Sequence, residues 1–220
     1  MDQLISELAT QARKAGRSLA ASDYLTRVNA VLAIADALIQ RKAEILAANE
    51  LDISQAKESG MVESLIDRLL LTSERIDGIA HAARKVSQLP DPLHQTLRER
   101  TLENGLHLRQ VSVPFGVVGM IYEARPNVTV DASVILLMSG NAALLRGSAS
   151  AAHSNAKLIE IMKGALATTT ISPDVLQRVP SDDRNSVHAL LHARGKIDLV
   201  IPRGSAALID RKSTRLNSSH

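Results

Sequence analysis

The sequence predicts an α/β protein: a helical N-terminal segment, a β-hairpin, and then a parallel sheet with helices on both faces. Three observations carry this. Apolar residues recur at three- and four-residue steps through the first ninety or so residues. That period breaks at Pro90 and Pro92 and gives way to two extended runs around Asn104-Gly105. From Phe115 onward, short apolar runs alternate with helical patterns, as strands buried on both faces and joined by right-handed crossovers do.

Leu4, Leu8, Ala12, Ala15 and Leu19 form the first helical stripe. Ser22 is an N-cap candidate for the next helix, which carries Leu25, Val28, Leu32, Ala35 and Ile39. A third run covers 51–59 and stops at Gly60, a residue type that ends helices. Thr72 or Ser73 opens a helix with Ile76, Ile79, Ala83 and Val86, and it ends before the two prolines. The hairpin strands fall near 95–102 and 106–113. Strands are then expected at 117–122, 142–146, 175–179 and 197–201, with helices at 131–139, 149–166 and 183–192.

Composition excludes several classes. The chain has 220 residues, 45% of them hydrophobic and 22% charged, which suits a packed core. The aromatics are Tyr24, Phe115 and Tyr122, too few to stack bases on. There is no cysteine, hence no disulfide, no zinc-thiolate site and no Cys nucleophile among these residues; a reducing, cytoplasmic setting is expected. No apolar run is long enough to cross a bilayer, and the N-terminus carries Asp2 and Glu7, unlike a secretory signal. The last ten residues hold three of the 26 basic residues and no acid, leaving 23 basic against 23 acidic in the rest. A neutral body argues against nucleic acid or membrane as partners. The histidines are scattered; His188 and His192, four apart on one helix, read as a surface pair, and no metal site is expected.

A parallel sheet binds ligands outside the carboxyl ends of its strands. Segments 123–127, 146–150 and 202–205 lie there. Arg146-Gly147-Ser148 runs from a strand into a helix, where free N–H groups favour an anion; the plain alternative is a turn glycine beside a solvated arginine. Pro202-Arg203-Gly204-Ser205 repeats the device, with Ser205 either a cap, a phosphate contact or both. Neither is a GxGxxG fingerprint. In Tyr122-Glu123-Ala124-Arg125-Pro126-Asn127, Pro126 keeps Arg125 out of helical geometry. Arg125 and Asn127 suit a carboxylate and a developing oxyanion, while Asn127 also reads as a simple helix cap.

The stretch 114–148, and above all IYEARPNVTVD, resembles the glutamate-5-semialdehyde dehydrogenases, or γ-glutamyl phosphate reductases, of the aldehyde dehydrogenase superfamily. AANELDISQAKESG, LIDRLLLT, LPDPLH, ENGLHL and IDLVIPRGSAALI read as blocks of the same family, so the resemblance runs to about Ile209 and leaves a polar tail, DRKSTRLNSSH. It implies a Rossmann-like cofactor domain: a helical part at 1–93, an oligomerisation-type hairpin at 94–113, the cofactor-binding part at 114–209 and a non-family tail at 210–220.

The resemblance further implies an NADPH-dependent step of proline biosynthesis. A cysteine thiolate attacks glutamyl 5-phosphate, releases phosphate and forms a thioester, which hydride from NADPH reduces to glutamate 5-semialdehyde. In the family that cysteine lies beyond the residues present here, so this polypeptide is expected to be inactive; a non-catalytic nucleotide-binding or interaction fragment is the alternative. The resemblance places Arg146 at the adenosine ribose, where an arginine suits the 2′-phosphate of NADP, with Tyr122, Glu123, Gly147 and Ser148 around it. It places Gly204 and Ser205 at the pyrophosphate, although the family more usually has glycine at the Ser205 position, and the GSAS after Arg146 also departs from its pattern. The oxyanion asparagine falls in the loop of Arg125 and Asn127: ungapped counting favours position 125 and residue type favours Asn127, which is preferred. The full-length family member is expected to be a homo-oligomer.

Overall fold

The computed structural model describes residues 1–181, 183 and 185–204. Helices α1 (Asp2–Ala20), α2 (Tyr24–Gln40), α3 (Lys42–Glu58), α4 (Glu63–Leu69) and α5 (Ser73–Val86) come first. A hairpin of β1 (Thr96–Thr101) and β2 (His107–Val111) follows. Then come β3 (Val117–Tyr122), α6 (Asn127–Met138), β4 (Ala142–Arg146), α7 (Ala152–Leu166), β5 (Leu176–Arg178), α8 (Asn185–His192) and β6 (Leu199–Arg203). Short 3-10 turns precede α7 and β5.

β3, β4, β5 and β6 make one parallel sheet in the order β5-β4-β3-β6, as the alternation after Phe115 predicts. Every residue of β3 is buried, which explains its unbroken apolar run. α6 and α7 cover one face with α2, α3 and α5 packed behind them; α1 covers the other face beside α8. Asp198 locks the start of the sheet. It accepts from the Val117 amide at 2.7 Å, and Arg13 of α1 donates to both of its oxygens at 3.0 and 2.9 Å.

The helical half departs from its expected detail in physical ways. The buried stripe of α1 is Ile5, Ala9, Ala12, Ala15 and Leu19, so the face is turned from the predicted one and Leu4 is exposed. Asp23, not Ser22, caps α2: its carboxylate accepts from Thr26 N at 2.7 Å, while the Ser22 hydroxyl donates back to Leu19 O. α3 starts at Lys42, well before the expected 51, because its buried face is partly polar. Asn49 and Asp52 sit on that face and break the apolar period, while Leu51 points to solvent. The hydroxyl of Thr72 caps α5 as expected, accepting from Arg75 N at 3.2 Å.

The hairpin turns at Gly105, whose φ of +83° lies in the left-handed region that glycine tolerates. All residues of β1 and β2 are exposed, so the hairpin stands clear of the rest of the described chain. It is anchored at its root, where Ser112 N donates to Gln95 O and Ser112 Oγ to Pro92 O. α6 begins at Asn127 rather than 131, because Pro126 occupies its N-cap position with helical dihedrals and Val128, Thr129 and Val130 are already buried. β6 lies two residues later than expected, and β5 and α8 are shorter. Ser205 and the tail 210–220 lie outside the described residues. No described helix is long and apolar enough to cross a membrane.

Candidate functional site

Strand register gathers the expected segments at one edge. Ile121 is paired with Arg146 and Tyr122 with Arg203, so the exits of β3, β4 and β6 are neighbours. The chain leaves β3 towards β4 on one side, and β6 returns on the other. The crevice between β3 and β6 is thus the switch point where open parallel sheets take ligands. Gly204 is exposed at its rim, and Glu123 and Arg125 are exposed on the opposite lip.

At the end of β4, the Arg146 guanidinium is half-buried and already oriented. Its Nε donates to Ser186 Oγ at 3.2 Å and a terminal nitrogen to Ser181 O at 3.3 Å. Gly147 is required by close packing rather than by positive φ: a Cβ there would lie 2.2 Å from Asn155 Nδ2 and 3.1 Å from the Tyr122 ring. Ser148 caps the turn into α7, its hydroxyl accepting from Ser150 N at 3.2 Å.

Behind these residues runs a buried chain of hydroxyls. Thr129 Oγ1 donates to Asn155 Oδ1 at 2.7 Å, so the Tyr122 hydroxyl, also 2.7 Å from Thr129 Oγ1, must be the donor of their bond. Burial pushes the Tyr122 phenol up to about 12. The side chain of Tyr122, expected among the cofactor contacts, is therefore spent inside, tying β3 to α6 and α7. Only its main chain faces the strand-end edge.

Asn127 does not cap α6. It is the first helical residue, and its carboxamide donates to Asp131 Oδ2 at 3.1 Å, one turn on. Burial raises the Asp131 carboxyl, opposed by the Asn127 hydrogen bond and by the charge of Arg203. Arg125, Asn127 and Asp131 form one wall of an open groove of about 480 Å³. The other wall is α4 and α5, with the exposed Asp67, Arg68, Arg75 and Ala82 at its rim and the buried Leu71 and Ile79 along its floor. Asp131, Arg68 and the groove itself escape sequence reasoning. α4 shows no apolar period, and the groove exists only because α5 packs on α6.

His188 and His192 are exposed on α8 with their rings stacked, centroids 3.8 Å apart. Neither lies on the strand-end edge. Among the described residues, no group of three or more potential metal ligands comes together.

The chain is 50% identical over 205 residues to the gamma-glutamyl phosphate reductase of Thermobifida fusca, covering 93% of this chain and 49% of that protein. The crystal structure of gamma-glutamyl phosphate reductase from Thermotoga maritima superposes with a TM-score of 0.92 at 37% identity, covering 96% of this chain and 51% of that one. The enzyme of the same name from Saccharomyces cerevisiae gives 0.85 at 32% identity, covering 94% and 52%. The chain thus spans about half the length of the relatives it matches. The model of the aldehyde dehydrogenase family matches residues 2–213, nearly the whole of the sequence. With this fold, this edge of strand ends and this match, the chain belongs to the aldehyde dehydrogenase family.

Proposed function

We propose that these residues form the cofactor-binding half of a γ-glutamyl phosphate reductase, which reduces glutamyl 5-phosphate to glutamate 5-semialdehyde in proline biosynthesis. The observation that carries the reading is the gathering of Arg146, Gly204 and the 123–127 loop at one switch point, in a chain half identical to such a reductase.

The family and the reductase relatives imply a nicotinamide cofactor, and the donor set fits one. An oriented guanidinium stands at the end of β4, and the exposed backbone of Gly204 stands at the end of β6, across β3. When bound, the nicotinamide supplies hydride. In this reading Arg146 grips the 2′-phosphate that distinguishes NADP from NAD, held for it by Ser186 and Ser181. Glu123 and Ser148 border the adenosine side, and the backbone of Gly204 meets the pyrophosphate. Asn127 donates to the developing oxyanion, which requires its carboxamide to leave Asp131, and Arg125 binds the substrate. The reaction also needs a thiolate, and none of these 220 residues is cysteine. The exposed hairpin suits pairing with a neighbouring subunit of a cytoplasmic homo-oligomer.

Ligand-observed NMR on the purified chain tests the cofactor assignment. Weak binding is expected, with NADP preferred over NAD. Arg146→Ala is expected to weaken NADP by about tenfold or more and to leave NAD nearly unchanged, the usual range for a lost charged hydrogen bond. Equal binding of NAD and NADP by the unaltered chain would remove Arg146 from this role.

A further inference from the structure

We infer that the groove between α4, α5 and the start of α6 takes a small substrate that is anionic at both ends, with Arg68 holding the end remote from the reacting carbon. The inference deepens the reductase reading and rests on it.

Among the described residues, five charged side chains line the groove, and three are already engaged. Arg75 donates to Asp67 Oδ1 at 2.7 Å and to Leu70 O at 2.8 Å, so this pair neutralises itself. Asp131 accepts from Asn127 and lies in the field of Arg203. Arg68 and Arg125 are left. Both are exposed, and neither side chain has a hydrogen bond or ion pair among the described residues.

They stand on different walls. Arg125 belongs to the loop leaving β3, beside the crevice where hydride would arrive. Arg68 is in the last turn of α4, on the far wall. A basic residue in a helix's last turn is ordinarily explained by the helix dipole, but this one also faces a groove with an apolar floor. Leu71 and Ile79 on that floor are buried and match a short methylene stem, whereas two separated guanidinium groups match two separated anions. An acyl phosphate at the Arg125 end and a carboxylate at the Arg68 end satisfy both. The arrangement selects length as well as charge, because one anionic end alone leaves an arginine unpartnered.

Two stable probes test this on the purified chain by amide-resolved NMR titration. L-2-amino-5-phosphonopentanoate carries a phosphonate and a carboxylate; 4-aminobutylphosphonate lacks the carboxylate. The unaltered chain is expected to bind the first about tenfold more tightly. Arg68→Ala is expected to erase that preference and Arg68→Lys to keep part of it. Arg125→Ala is expected to weaken both probes. Arg68 is exposed, so an unchanged melting curve verifies folding of its variants. A preference that survives in Arg68→Ala, or no preference in the unaltered chain, overturns the assignment. NADP binding is measured on the same samples. If it still depends on Arg146, the reductase reading stands while the groove assignment falls; if it does not, the cofactor reading fails on its own evidence.

Discussion

Purified polypeptide supplied with glutamate 5-semialdehyde, phosphate and NADP is expected to form no NADPH. The route proposed for this family passes through a thioester, and only a thiolate provides one at neutral pH. A hydroxyl is no substitute without an adjacent base to activate it, and Ser148, at the site edge, is engaged as a turn cap. Removing a catalytic nucleophile costs on the order of a millionfold in kcat in well-studied hydrolases, which would put any residual rate below detection. The measurement is NADPH absorbance over hours, with the semialdehyde present in excess. A rate above background that disappears in Arg146→Ala would show that the chain catalyses by another route, and the thioester account would fail.

Asp52→Ala is expected to produce the largest loss of stability of any single polar substitution near the site. Asp52 sits on α3, 1% exposed, with its carboxylate against the start of α7. One oxygen accepts from His153 N at 3.0 Å and lies 2.8 Å from His153 Nδ1; the other accepts from Ser154 N at 2.8 Å. The side chain therefore satisfies two of the N–H groups that a helix start leaves without partners. Alanine leaves them buried and unpaired, at a cost of about 3 kcal/mol, or a melting point lower by roughly 10 °C for a domain of this size. Asp52→Asn keeps one acceptor and is expected to lose about half as much. Thermal melts of both variants measure this, and a drop below about 2 °C for Asp52→Ala would show that the bonds contribute little.

The parallel sheet was legible in the sequence because β3 and β4 are unbroken apolar runs, and their boundaries coincide with the expected ones. The three strand-end segments were legible for the same reason: once the strands are placed, their exits are placed. The reductase kinship was legible in one long peptide, 121–131, but roles within it were not. The fate of the Tyr122 ring depends on Thr129 and Asn155, and the latter comes from α7. Asn127 reads as a cap until it is known that Pro126 already occupies that position. α3 hid its true start because Asn49 and Asp52, polar by type, are buried by contacts with distant segments. In each case a long-range partner decided the outcome, and local pattern carries no record of such a partner.

The clamp of Arg13 on Asp198 also bears on the order in which the molecule can be completed. Its two partners are 185 residues apart in the chain, so during synthesis α1 emerges long before the strand that fastens it. Until that strand arrives, β3 has β4 on one side and an open edge on the other, although it ends as an interior strand. The helical layer and the β3–β4 pair can assemble early from nearer contacts; the β6 edge cannot. The interval between the two events is when the nascent chain most needs shielding from its neighbours, and Asp198, binding the Val117 amide and Arg13 together, marks its close.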